Sequence, residues 1–218
     1  MEKSVAILMA DLSGYSALTE THGAKTAANL IDRYIAIAES CLAGDSRLHQ
    51  QTGDELMFVS ASPDAMLATA RQLAAATADE VLFLQLHGGL HYGKLLKRRG
   101  NYFGTALNLA ARIASKASAG TFYCSAEFAG AITETPAASF KSKGNYVLKN
   151  ISEEKELFEI NVEKIKTGYI DPVCRMVILD PANAFHLTGE DQPFFCSFQC
   201  LELYKRTQQF NQLNQPVH

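Results

Sequence analysis

An apolar segment that ends in an acid is the feature that most constrains the fold of this chain. Residues 4–12 read SVAILMADL, and Asp11 within them is followed by Ser13 and Gly14. A continuous apolar run of this length is typical of a strand that is buried inside a sheet. The segment lacks the small-residue cleavage pattern of a secretory signal, so we interpret it as a core strand rather than a signal peptide.

The residues that follow predict further helices and strands. Residues 47–51 and 56–61 have the pattern of a hairpin around Gly53 and Asp54. The other predicted elements are helices over 23–42, 63–77 and 105–117, one or two long strands over 81–96 with interrupting glycines, and short strands over 121–125, 145–149 and 155–162. Their order predicts a ferredoxin-like α+β core with additions.

The composition changes near residue 163, which predicts a domain boundary. We expect residues 1–162 to form one domain and residues 163–168, which read EKIKTG, to form a polar linker. Residues 169–218 then form a small C-terminal module that contains three of the five cysteines.

Charge and hydropathy exclude several classes of partner. The chain is 47% hydrophobic and 20% charged, with a formal net charge of −3, as expected for a soluble globular protein. This charge creates no general attraction for nucleic acid or anionic membrane, so phosphate binding requires a local site. No apolar run is long enough to span a bilayer, and a cytoplasmic location is the default expectation.

Asp11 and Asp54 are the first candidate site residues. Adjacent antiparallel strands can bring the two carboxylates together, and such a pair repels itself unless a cation lies between its members. Two carboxylates together with triphosphate oxygens are a usual ligand set for Mg²⁺. Either residue alone has an ordinary structural explanation, as a helix cap or a turn residue.

Asn108 and Arg112 are the second pair. They lie four residues apart on one face of a predicted helix that is otherwise apolar. An anionic ligand would give both side chains a partner. A local surface or interdomain ion pair is the structural alternative.

Four segments together resemble class III adenylate and guanylate cyclases. They are MADLSGYSALTE, HQQTGDELMFV, HGGLHYGKLLKRRGNYFGTALNLAARIASKASAG and LKNISEEKELFEI, and they follow the order and spacing of that family over residues 4–162. The resemblance implies a homodimeric enzyme that cyclises a nucleoside triphosphate with two Mg²⁺ or Mn²⁺ ions.

The resemblance also implies a role for each matched residue. Asp11 and Asp54 would bind both metal ions. Asn108 would position the ribose, and Arg112 would stabilise charge on the transferring phosphoryl group. Lys149 falls where the family often has a lysine that binds the triphosphate.

The base-reading positions depart from the family pattern. Adenylate cyclases usually have Lys where this chain has Gln50, and Asp where it has Asn101. An amide can donate to or accept from a purine edge, so we expect ATP to be the substrate with weak discrimination against GTP.

A cysteine cluster defines a second candidate site. Cys174, Cys196 and Cys200 are spaced so that one helical turn presents the last two together, and grouped thiolates select Zn²⁺ or another soft metal. His186 is the nearest candidate for a fourth ligand. The alternative is that the three cysteines act as small hydrophobic residues in a compact hairpin–helix unit.

The C-terminal segment resembles a YHS domain, with DPVCRM as its opening and FFCSFQC as its close. That family is commonly thought to bind metal. Arg175 replaces the usual Gly and Phe195 the usual Tyr, and neither change removes a thiol.

The sequence therefore predicts an adenylate cyclase that makes cyclic AMP and pyrophosphate. One alternative is a degenerate cyclase domain that binds nucleotide or a protein partner without turnover. Another is a metal-sensing protein in which the large domain serves only as a dimerisation platform.

Overall fold

A computed structural model describes residues 2–134, 139–162, 168–187, 189 and 192–213, with only the backbone described for 211–213. The strands are β1 (Glu2–Ser13), β2 (Arg47–Thr52), β3 (Glu55–Ser60), β4 (Gln85–Arg98), β5 (Asn101–Phe103), β6 (Phe122–Ser125), β7 (Phe140–Tyr146), β8 (Lys155–Ile160), β9 (Tyr169–Ile170), β10 (Val177–Ile178), β11 (Phe185–His186) and β12 (Phe194–Phe195). The helices are α1 (Tyr15–Ser40), α2 (Pro63–Ala78), α3 (Thr105–Ala114), α4 (Ala126–Ala129) and α5 (Phe198–Leu213). The observed class is α+β, as predicted.

One large sheet organises the molecule, in the order β2-β3-β1-β4-β6-β8-β7, with β5 folded back on β4. The apolar run in β1 occupies the middle of this sheet, antiparallel to β3 on one side and to β4 on the other. β4 and β6 are parallel, which requires the crossover through α3 that lies between them. The predicted core strand is therefore confirmed.

Alternate residues of β1 face two separate cores. Ala6, Leu8 and Ala10 lie in a core that also contains the buried residues of α1 and α2, while Ile7 and Met9 lie in a core that contains Ala106, Ala110 and Ala114 of α3. Helices therefore cover both faces of the sheet, which explains why the sequence of β1 is apolar without alternation.

Several predicted boundaries are corrected. The first helix begins at Tyr15 rather than residue 23, and Gly23, with φ +81° and ψ 166°, breaks it into two helical parts. The segment predicted to form one or two strands over 81–96 is one continuous strand, Gln85–Arg98, because Gly88 and Gly89 lie within the ladder. The strand predicted over 145–149 ends at Tyr146, and the buried Leu148 lies in the turn that follows.

The C-terminal segment packs against the large sheet domain. Val177 donates a backbone hydrogen bond of 2.7 Å to Phe83 O, and Cys174, Phe195 and Cys200 are buried in the same core as α1 and α2. The predicted linker, apart from Gly168, lies outside the described residues. Within the described part of the chain, no helix has the length and apolar character needed to cross a membrane.

Candidate active site and a cysteine–histidine cluster

Asp11 and Asp54 meet at one end of the central sheet. Asp11 lies opposite His87 in the β1–β4 ladder, and Asp54 lies in the turn between β2 and β3, after Gly53 with φ +64°. Because Ala10 pairs with Leu56, the tip of the hairpin reaches the level of Asp11. The two carboxyl groups lie close enough for each to shift the pKa of the other.

The electrostatics of this pair favour a proton or a cation between its members. Burial, followed by the charge of Asp11, raises the pKa of Asp54 to about 6. Burial also raises the pKa of Asp11. Two ionised carboxylates close together repel each other, and this repulsion contributes to the raised pKa of Asp54. Binding a divalent cation removes it. The pair therefore suits a hard metal ion.

Three residues near the carboxylates were not predicted as site residues. His87 Nε2 lies 3.8 Å from Asp11 Oδ2, and its Nδ1 lies 2.9 Å from Ser13 Oγ. Burial lowers the pKa of His87, which favours a neutral imidazole. Tyr34 lies fully buried, its hydroxyl has no hydrogen-bond partner among the described residues, and burial together with the nearby carboxylates raises its pKa. The β1–β4 register places His87 opposite Asp11, and the packing of the buried face of α1 places Tyr34; sequence alone fixes neither.

Asn108 and Arg112 lie on the side of α3 that faces away from the sheet. The opposite side of the helix carries the buried residues, such as Ala110 and Ile113. Asn108 is exposed and Arg112 is half-buried. Lys149 is also exposed, in the turn after β7. Across the residues that the structure describes, none of these three side chains forms a hydrogen bond or an ion pair, with Asp11, Asp54 or any other group.

Gln50 and Asn101 lie on elements that touch each other. Gln50 is on the edge strand β2, and its amide nitrogen donates to Thr52 Oγ1 at 3.3 Å. Asn101 begins β5, and the ring of its neighbour Tyr102 contacts the ring of His49 at a centroid distance of 4.9 Å. Both amides are exposed, so they are available to a ligand.

Comparison with known proteins places this arrangement in a cyclase fold. No family model matches the chain. An adenylate cyclase from Glutamicibacter nicotianae is 37% identical over 117 residues, which are 53% of this chain and 29% of that protein, so the chain spans less than a third of this relative. An adenylate/guanylate cyclase/hydrolase from Silicibacter pomeroyi superposes with a TM-score of 0.58 at 25% identity, over 75% of this chain and 99% of that one. The adenylyl cyclase CyaB from P. aeruginosa superposes with a TM-score of 0.64 at 16% identity, over 77% and 98%.

The chain has the fold of a class III adenylate/guanylate cyclase catalytic domain. The predicted resemblance to that family is thus supported by relatives and by structural neighbours, and the likeness to a YHS domain remains a prediction.

A second cluster lies beside the first part of α1 in this cyclase fold. Cys174, Cys196 and Cys200 are free thiols whose sulfur atoms converge, with 3.4 Å between Cys174 and Cys196 and 3.7 Å between Cys196 and Cys200. Hydrogen bonds with the other two thiols raise the pKa of Cys196 and lower that of Cys200. The three predicted cysteines are therefore brought together, in an arrangement able to hold a metal ion.

The fourth member of this cluster is His22 of α1, and the prediction of His186 is wrong. His22 Nε2 lies 3.5 Å from Cys196 Sγ and 3.4 Å from Cys200 Sγ. His186 instead lies on the exposed strand β11, with Nδ1 3.0 Å from Leu187 O and its ring near Phe194. Proximity in sequence favoured His186, whereas the fold brings α1 against the C-terminal segment.

Proposed function

We propose that the protein is an adenylate cyclase that converts ATP to 3′,5′-cyclic AMP and pyrophosphate, with some activity on GTP. The observation that carries this proposal is the proximity of the Asp11 and Asp54 carboxyl groups at the end of β1, directly before the first turn of α1. Nucleotide cyclase relatives and a nucleotide cyclase fold support the same reaction class.

Asp11 and Asp54 would hold two Mg²⁺ or Mn²⁺ ions, for which their carboxylate chemistry is suited. When bound, such ions supply positive charge to the attacking and leaving oxygens of the phosphoryl transfer. The ribose 3′-oxygen forms a bond to the α-phosphorus, the bond to pyrophosphate breaks, and the hydroxyl proton passes to water.

The start of α1 supports triphosphate binding next to the carboxylates. Gly14, with φ +97°, ends the β1 segment and begins the helix. The N–H groups of the first helical turn point out of the N-terminal end of the helix and have no acceptor within it. The helix dipole also favours negative charge at that end. A phosphate chain at this end of α1 would lie beside Asp11.

We infer that Asn108 and Arg112 reach the reacting nucleotide from a second copy of the chain. Within one chain both point away from the sheet and lack polar partners among the described residues, while Asp11 and Asp54 are paired with each other. A two-fold dimer that joins the two half-sites would create two equivalent composite sites. Arg112 would then stabilise charge on the transferring phosphoryl group, Asn108 would orient the ribose, and Lys149 would contact the triphosphate.

Base selection would fall to Gln50 and Asn101. Each side chain offers both a donor and an acceptor, and each can present either one by rotating its amide. The pair therefore accepts an adenine edge without strongly rejecting a guanine edge. The same amide pair is the observation that favours the second candidate function, nucleotide binding without turnover.

The deciding experiment measures cyclic nucleotide formation by purified protein with Mn²⁺ and either ATP or GTP, alongside nucleotide binding by calorimetry. Formation of cyclic AMP that depends on Mn²⁺ and is lost in Asp11→Ala supports the cyclase. Binding of ATP with no cyclic product in wild-type protein would overturn the cyclase and leave the binding function.

A further inference from the structure

The cluster of His22, Cys174, Cys196 and Cys200 joins two parts of the chain that are far apart in sequence. His22 lies 174 residues before Cys196 and 178 residues before Cys200. The four ligand atoms all lie within 4.8 Å of one another. One histidine from the cyclase domain thus completes a ligand set whose other members belong to the C-terminal segment.

The spacing of these atoms matches a tetrahedral metal site. A tetrahedral Zn²⁺ ion with Zn–S near 2.3 Å separates two sulfurs by about 3.8 Å, and a sulfur from an imidazole nitrogen by about 3.6 Å. Of the six distances here, two between sulfurs are 3.4 and 3.7 Å and two between sulfur and nitrogen are 3.4 and 3.5 Å. The remaining two, from Cys174 to Cys200 and from Cys174 to His22, are no longer than 4.8 Å. The two sulfur–sulfur distances of 3.4 and 3.7 Å are far longer than the roughly 2.05 Å of a disulfide.

We propose that His22, Cys174, Cys196 and Cys200 bind one Zn²⁺ ion, which fastens the C-terminal segment to α1 of the cyclase domain. Three thiolates and one imidazole in a closed tetrahedral arrangement are a usual ligand set for structural zinc. The ligand set differs in kind from the carboxylate pair at Asp11 and Asp54, so the two sites take different metals.

A buried carboxylate positions the cysteine-bearing loops. The Asp171 carboxylate is fully buried and accepts backbone hydrogen bonds from Val173 at 2.8 Å, Cys174 at 3.2 Å and Cys196 at 2.8 Å. One side chain therefore fixes both cysteine-bearing loops. Cys200 follows in the first turn of α5, where its N–H donates to Ser197 Oγ at 3.2 Å.

The zinc ligand His22 lies where α1 is broken. Gly23 immediately follows it in a left-handed, non-helical conformation, so His22 ends the first part of the helix. The Gln199 side chain donates to Thr21 O, which gives α5 a second contact at the same point. The break therefore places the histidine at an accessible helix end beside the cysteines.

The other end of this helical part also contacts the C-terminal segment. A β-carbon placed on Gly14 would lie 2.4 Å from Cβ and 2.6 Å from Cγ of Arg175, the residue that follows Cys174. Tyr15 and His22 are about 10 Å apart along the helix axis. The zinc site and Arg175 thus bracket the first two turns of α1, which begin beside Asp11. Any effect of the zinc site on turnover at Asp11 rests on the proposed cyclase function, whereas zinc binding itself does not.

Zinc content and Co²⁺ substitution test the proposal without any cyclase assay. Protein purified without chelator is expected to contain one Zn²⁺ per chain, and Co²⁺ exchanged into it should give the visible absorption of a tetrahedral thiolate site. His22→Ala and Cys196→Ser should weaken binding by at least tenfold. His186→Ala is the matched control, since it removes the histidine outside the cluster, and it should bind like wild-type protein.

Limited proteolysis tests whether zinc holds the C-terminal segment against α1. Removal of zinc from wild-type protein, or His22→Ala, should speed cleavage within residues 168–210, while the sheet domain keeps its circular dichroism. Zinc added back should restore protection to wild-type protein only. Metal affinity that is the same in His22→Ala and His186→Ala, or thiols that titrate freely with no metal bound, would overturn the proposal.

Discussion

The carboxylate pair and the cysteine–histidine cluster lie near opposite ends of the first helical part of α1, and they are built in opposite ways. Asp11 and Asp54 come from strands that are neighbours in the sheet, and the Asn108 and Arg112 side chains do not join them within one chain. The cluster draws its four ligands from distant segments and is complete within one chain. A closed ligand set suits a structural metal, while an open one leaves room for substrate.

The largest expected effect tests whether the carboxylate half-site is completed by a second chain. Asp11→Ala and Arg112→Ala should each lower cyclase activity by on the order of a thousandfold, because metal and cationic stabilisation of the transition state are lost. Mixing the two inactive variants should restore part of the activity, since one site in each heterodimer is intact. Cyclic AMP formation by the separate and mixed variants is the measurement.

Metal analysis of the same variants separates the two sites. Asp11→Ala should keep its zinc while it loses activity. Failure to recover activity from a mixture that demonstrably contains heterodimers would show that the half-sites are not shared between chains.

The proximity of Asp11 and Asp54 could be predicted from the sequence because its determinants are local. Asp11 ends an apolar strand and Asp54 lies at a Gly-containing hairpin turn, and both patterns are readable in short windows. His22 could not be found in that way, because its partners lie more than 150 residues away and only the packing of α5 and the Asp171 loop against α1 brings them to it. Its one local signal is the helix-breaking glycine that follows.

The helix boundaries show the same limit. The sequence predicts the second part of α1 from its apolar spacing, whereas the first part is largely polar and buries only Leu18. The periodicity signal was therefore too weak to place the helix start at Tyr15.

A smaller effect is expected from the base-reading residues Gln50 and Asn101. Gln50→Lys with Asn101→Asp should raise the preference for ATP over GTP by about tenfold, because a charged pair left unpaired by the wrong base is penalised more than an adaptable amide pair. The ratio of kcat/KM for the two nucleotides checks this. A wild-type preference already above about a thousandfold would contradict a weakly selective amide pair.

The contact between Gly14, at the start of α1, and Arg175 of the C-terminal segment predicts a change in stability. Gly14→Ala should lower the free energy of unfolding by about 1–3 kcal/mol, since alanine is strained at φ +97° and its β-carbon meets Arg175. The loss should be smaller in an Arg175→Gly background, where the steric part is removed and the backbone part stays. Because Arg175 itself has φ +70°, the Arg175→Gly single variant is the reference for the double variant. Urea unfolding of wild type, both single variants and the double variant measures both parts. An equal loss from Gly14→Ala in the two backgrounds would show that the C-terminal segment does not press on Gly14.

The smallest expected effect is the pH dependence of the carboxylate pair. It is measured as the difference between wild-type protein and Asp54→Asn, so that the pH dependence of metal binding at the cysteine–histidine cluster is common to both. The pKa of Asp54 is raised from 3.8 to about 6, so its contribution to stability is present below the unfolded value and is lost as the pH rises through about 6. The Asp54→Asn variant does not suffer this loss. Without divalent cations, the Tm of the variant relative to that of wild-type protein should therefore rise between about pH 4 and pH 7. The rise should be a few degrees or less, because the half-buried group is partly screened by solvent. Mg²⁺ should then raise the Tm of wild-type protein above pH 6 and have little effect on Asp54→Asn. If the two Tm profiles run parallel at every pH with and without Mg²⁺, the repulsion between Asp11 and Asp54 does not shape this end of the sheet.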